Sequence, residues 1–160
     1  MPQASELYGA TLCTQEGGLA AGTTSTYTTA TVVRGSIGGK FVTELAAQTN
    51  TATPTTQGDG SAFTALAASE ASVYVACLTA AGAIAVFQGG VEALDTGNAI
   101  VRAPAFPSID LETYMPFGYV VILNGSTGSA WTFGASNWAA TGVVDTFTDI
   151  TCLPSRPQSA

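Results

Sequence analysis

The sequence predicts an all-β protein: an antiparallel two-sheet sandwich, jelly-roll-like, with long Pro- and Gly-rich loops and an extended C-terminal tail. Three observations lead there. Turn residues recur at short intervals, and the segments between them are β-branched or aromatic. Small residues (Ala, Gly, Thr, Ser) dominate in place of the long Leu, Glu and Lys side chains that build helices. The length of 160 residues suits one domain over 1–160, with 1–20 and 154–160 as extended arms.

Taken in order, Thr26 to Arg34 (TYTTATVVR) reads as a strand, and Gly35, Gly38 and Gly39 punctuate it. Lys40 to Leu45 then alternates, with Phe41, Thr43 and Leu45 on one face, so the pair reads as a hairpin with a Gly-rich turn. Thr49 to Gly60 is polar and contains Pro54, Gly58 and Gly60, which predicts a surface loop long enough to act as a contact arm. Ala65 to Ser72 has room for one helical turn. Val73 to Thr79 (VYVACLT) is apolar on both parities, the mark of a central strand covered on both faces, and Ala83 to Phe87 returns beside it.

Val91 to Arg102 carries a turn at Asp95-Thr96-Gly97-Asn98. Beyond it, Pro104, Pro107 and Pro116 have no amide hydrogen for a ladder, which assigns that stretch to a sheet edge or the surface. Phe117 to Leu123 and Ala130 to Phe133 flank a Gly- and Ser-rich loop, Asn124 to Ser129, and read as a further hairpin. Val143 to Cys152 is the last strand, followed by an extended tail holding Pro154 and Pro157. The total is about eight to ten strands, as in a jelly roll.

Composition excludes most chemistry. The chain has no histidine, so Ser-His-Asp and Cys-His relays and imidazole metal sites are out of reach. Only Arg34, Lys40, Arg102 and Arg156 are basic against eleven acids, a balance that repels nucleic acid and anionic membranes. The uncharged run between Glu70 and Glu92 is long enough to span a bilayer, yet its Gly, Ser, Thr and Gln residues and acidic flanks fit two strands better. Met1 to Ala10 lacks a basic region followed by an apolar core, which predicts no export by a standard signal. Cys13, Cys77 and Cys152 form no CxxC pair and read as buried thiols of a reducing compartment.

Several motifs reduce to turns. GSIGGK at Gly35 to Lys40 lacks the spacing and the following Ser or Thr of a phosphate loop, since Phe41 comes next. Asp59, and Asp95 with Asn98, match no EF-hand spacing and read as Asx turns. Asn124-Gly125-Ser126 fits a glycosylation acceptor but also an Asn-Gly turn. Asp110 with Glu112, and Asp145 with Asp149, share strand parity, the spacing from which a glycosidase pair or a solvated face is built. Tyr114, Phe117, Tyr119, Trp131, Phe133 and Trp138 either pack the core or present rings to sugars or to an interface.

From about Tyr27 to Gln158, the stretches IGGKFVTELAAQTNTATPTT, LDTGNAIVRAPAFPSID, PFGYVVILNGSTGSAWTFGASNW and FTDITCLPSRPQ resemble small virion structural proteins of tailed bacteriophages. The resemblance implies a virion component made in the host bacterial cytoplasm: a capsid decoration or cement protein on the capsid exterior, without catalytic activity or cofactor. Its implied partners are the major capsid protein and further copies of itself, as a dimer or trimer, with no nucleic acid and no membrane. Candidate contact residues are Pro54, Asp59, Pro104, Phe106, Pro107, Tyr114, Pro116, Trp138, Pro154, Arg156 and Pro157. The alternatives are a tail or head-fibre component whose aromatics bind glycans and, behind it, a carbohydrate-active enzyme.

Overall fold

The computed structural model describes residues 10–42 and 44–154. Among them the chain forms strands and no helix: Leu12–Gln15 (β1), Leu19–Ala21 (β2), Thr26–Thr29 (β3), Arg34–Ile37 (β4), Lys40–Phe41 (β5), Gln48–Ala52 (β6), Glu70–Thr79 (β7), Ile84–Ala93 (β8), Tyr114–Asn124 (β9) and Val143–Asp149 (β10). The strands assemble, all antiparallel, into a central four-stranded sheet ordered β10-β9-β7-β8 and two three-stranded sheets, β1-β4-β5 and β2-β3-β6. The protein is an all-β sandwich whose outer layer is divided in two. No helix among the described residues is long and apolar enough to cross a membrane.

The centre is β7 paired with β9, and it is apolar on both sides. One face presents Tyr74, Ala76, Leu78, Val120 and Ile122; both small sheets cover it through Cys13, Leu19, Tyr27 and Ile37, together with an aromatic segment holding Trp131, Phe133 and Trp138. The opposite face presents Val73, Val75, Cys77, Tyr119 and Val121, and it is covered by Ile100, Phe106, Ile109 and the residues after β10. Each such side chain withdrawn from water contributes about 1.5–3 kcal/mol, which is why the double-sided apolar run at 73–79 becomes the middle of the fold.

Several segments depart from the sequence expectation. The run 26–34 is two strands: β3 and β4 lie in different sheets, and Gly17 and Gly18 accept backbone bonds from Thr31 and Ala30 where the chain crosses between them. The Gly-rich hairpin forms as expected, with Ile37 opposite Lys40 and positive φ at Gly38 and Gly39. Its second strand stops at Phe41, Leu45 returns only as a bridge to Val33, and Thr43 lies outside the described residues.

The expected loop at 49–60 begins as β6, because Thr is a good strand former and Thr29 Oγ1 accepts the Gln48 N–H at 2.9 Å. In place of a helical turn at 65–72, Leu66 bridges Trp131 and residues 70–72 lengthen β7. Ala130 to Phe133 makes no strand beyond that bridge, and the partner of β9 across the sheet is β10.

Pro116 is the clearest correction. It sits buried inside β9, between β7 and β10, and not on an edge or the surface. A bulge makes this tolerable: the register shifts between Ala76 opposite Gly118 and Cys77 opposite Pro116. The ladder to β10 runs only as far as Gly118 opposite Asp149, so on that side the proline has no ladder bond to omit.

The turn after β9 is held from inside. Asn124 is fully buried, and its Nδ2 donates to the carbonyls of Leu66 (3.0 Å), Ala67 (3.0 Å) and Ser129 (2.8 Å). The side chain thus ties two loops to the end of the central sheet, and a Cβ on Gly128 would collide with it. Asn124→Ala would remove all three of these bonds, leaving Leu66 O only the Trp131 N–H, and is expected to lower unfolding stability by about 1–3 kcal/mol. The check is a urea titration whose midpoint falls at unchanged slope; an unmoved midpoint contradicts the bracket role.

Candidate functional site

The residues that looked available for contact are mostly committed to the chain's own interior. Trp138 is buried and donates Nε1–H to Thr26 O at 2.7 Å, while its backbone N–H binds Thr24 O at 3.0 Å. Its ring packs on Trp131, Phe133 and Phe147 at centroid distances of 5.5 Å each. Phe117, Tyr119, Trp131 and Phe133 are likewise buried, so these rings form core and offer no exposed platform for sugars.

Pro104 is buried, and Phe106 is half-buried, edge-on to Tyr119 at 5.2 Å. Pro107 is half-buried in the same covering segment. Gly89 and Gly90 let that segment lie close: the Gly90 N–H binds Ala105 O at 2.9 Å, and a Cβ on Gly89 would strike the same oxygen. The proline-rich stretch is therefore a cover for one sheet face. Tyr114 opens β9, packs against Phe87 and donates its hydroxyl to Gly58 O at 3.1 Å.

The 49–60 segment is no free arm either. Pro54 is half-buried beside Gly134 and Trp138. Beyond it, Gln57 Oε1 accepts the Gln88 N–H at 2.9 Å and the Gly58 N–H reaches Val86 O at 3.0 Å, so the loop clasps the outer edge of β8. Asp59 stays exposed at its tip, where the Ser61 hydroxyl and then the Ser61 N–H hold its carboxyl below the usual range. Pro154 is half-buried in a shallow cleft with Glu16, Tyr119 and Asp149. Arg156 and Pro157 lie outside the described residues.

One carboxylate of each acidic pair, that of Asp110 and that of Asp149, bonds to the chain's own backbone. Asp110 lies in a turn and not on a strand; the Thr113 hydroxyl and the Glu112 N–H hold its carboxyl below the usual range. For Asp59 and Asp110 alike, the folded carboxyl is the stronger acid. Their turn bonds are in place at neutral pH and are lost as pH falls through the depressed values, below 3.8. Asp149 Oδ1 accepts the Leu19 N–H at 3.1 Å, and Asp95 Oδ1 accepts from Gly97 and Ala99 at 2.8 Å each. Asn124, of the glycosylation pattern, is the buried bracket described above.

The surface that remains open was not singled out from sequence. Phe41 is 90% exposed at the end of β5, opposite Ser36 in the β4–β5 hairpin. Beside it runs a groove of about 550 Å³ lined by Thr11, Ile37, Lys40, Val42, Ala80, Leu111 and Glu112. Its walls are tied together: Thr11 Oγ1 donates to Leu111 O at 2.6 Å and accepts the Gly38 N–H at 3.1 Å, while the Asp110 turn holds Glu112. One signal was legible, since Phe41, the second residue after the Gly38-Gly39 turn, sits where strand pairing is about to end. Comparison with protein-family models, curated proteins and solved structures finds no match for this chain.

The cysteines divide two and one. Cys13 and Cys77 are buried, and burial pushes both thiols up, whereas Cys152 is exposed, contrary to the expectation of three buried thiols. Because the thiolate is the reactive form, a water-soluble thiol reagent at neutral pH is expected to label only Cys152 in the native protein and all three after denaturation. Peptide mapping reads this out; fast native labelling of Cys77 contradicts the fold.

Proposed function

We propose that this chain is a capsid decoration or cement protein of a tailed bacteriophage, which binds the outer surface of the major capsid shell as a homo-oligomer and stabilises the head. The observation that carries the reading is the character of the outer surface. Phe41, Val101, Val144, Leu111, Leu12 and Val91 stand exposed on a chain with only four basic and eleven acidic residues. Such a surface has little electrostatic protection against association and gains by being covered.

The interior supports the same reading. The aromatic side chains of the C-terminal half are spent mostly on packing, and Asp59, Asp95, Asp110 and Asp149 serve the chain's own backbone, which suits a rigid body that adheres. The resemblance to virion structural proteins supplies the setting: synthesis in the host cytoplasm and a place on the capsid exterior. A protein in this role acts without a cofactor, nucleic acid or membrane. Many modest contacts suffice, because an oligomer that engages several lattice sites gains avidity with no new contact.

Cryo-electron reconstruction of the parent particle with this protein tagged is expected to show density over the capsid faces. Particles lacking it should release their DNA at a lower temperature. Density at tail or fibre tips, or absence from particles, overturns the proposal.

A further inference from the structure

We infer that the Phe41 groove is a self-recognition surface, occupied by the same groove of a second copy related by a twofold axis. This deepens the oligomer in the proposed function by naming its interface. Three observations on one patch carry it.

The first is shape. Phe41 projects almost wholly into solvent, yet it lines a groove that also presents Ala80 and Leu111. A knob and its hole thus lie side by side on one surface. A closed twofold contact asks for that arrangement, because the same patch meets itself and each side inserts while it receives. A head-to-tail ring would place knob and hole on different faces.

The second is charge. A chain of net charge −7 repels its own copies at most places on its surface. Here the groove carries one cation and one anion, Lys40 and Glu112. Arg34 pairs with Glu44 at 2.6 Å and Arg102 lies 3.7 Å from Glu92, so among the described residues Lys40 is the cation left without a carboxylate. A twofold partner would set its Glu112 against Lys40 and its Lys40 against Glu112, making two reciprocal pairs around an apolar centre.

The third is preorganisation. The β4–β5 hairpin is closed by Gly38 and Gly39 in the left-handed region, and Thr11 links it to the Asp110 turn on the far wall. The surface is built before a partner arrives, so little ordering entropy opposes docking.

Analytical ultracentrifugation of the purified full chain tests this without any particle present. The wild type is expected to be a dimer at micromolar concentration. Phe41→Ser should be monomeric with unchanged circular dichroism, because an exposed ring contributes nothing to the core. Lys40→Glu and Glu112→Lys should each weaken self-association by about tenfold or more, since each reversal places like charges together twice. Mixing those two variants should restore association as heterodimers, which a three-membered ring cannot reproduce.

A wild-type monomer at 100 times the micromolar range, a trimer, or a dimer indifferent to Phe41→Ser overturns the inference. So does a wild-type monomer that dimerises once residues 1–9 are removed, because the chain's own N-terminal segment would then be the occupant. Particle labelling decides the decoration role separately: a monomer found on capsids refutes this interface alone, and a dimer absent from capsids refutes that role alone.

Discussion

Everything in this fold follows from one pairing, the long antiparallel ladder of β7 against β9. Its residues are apolar on both faces, so neither face can be left to water, and the rest of the chain is arranged as covers. The two small sheets and the aromatic segment close one side, and the proline-rich stretch with the residues after β10 closes the other. A sandwich of two equal layers satisfies one face of each sheet. Here the central sheet is enclosed from both sides, and segments without regular structure serve as walls.

Using irregular segments as walls raises the question of their backbone polar groups, which cannot be buried unpaired. The chain answers with side chains that bond to backbone. Asn124 gathers three carbonyls, Gln57 and Gln88 stitch the 56–64 loop to β8, and Trp131 and Trp138 turn their indole N–H groups onto the Asn137 and Thr26 carbonyls. The bonds of the 56–64 loop also cap the exposed ladder edge of β8. On the opposite flank β10 carries Asp145 and Asp149, acids of the kind that discourage edge-to-edge pairing. In a chain this poor in charge, such edge protection directs association toward side-chain surfaces.

What the sequence disclosed follows the range of the interactions involved. The central strand was legible because both parities of VYVACLT are apolar, and the hairpin turn because Gly38-Gly39 admits a left-handed backbone; both are local facts. Pro116 misled because its fate depends on a bulge between Ala76 and Cys77, some forty residues away in sequence. The Thr-rich 48–52 segment looked like loop by polarity, yet an edge strand with one solvated face tolerates that polarity once Thr26–Thr29 lies beside it. Ala130 to Phe133 has strand composition but lends its rings to packing and its backbone to a single bridge. The open groove was hidden for the same reason, since it joins Thr11, Phe41, Ala80 and Leu111 from four separate parts of the chain.

The distribution of aromatic residues then bears on how such a body associates. Aromatic anchors dominate interfaces when they are exposed and well supported, and here the aromatic-rich C-terminal half spends nearly all of its rings internally. In the N-terminal half, Phe41 is the exposed ring among the described residues, and the buried cluster that holds Ile37, Leu78 and Met115 is formed without it. An exposed ring outside that core contributes nothing to the monomer and costs solubility. Its place beside a walled groove, next to an unpaired lysine, is therefore better explained by contact than by folding, and the interior can remain unchanged whether or not that contact is made.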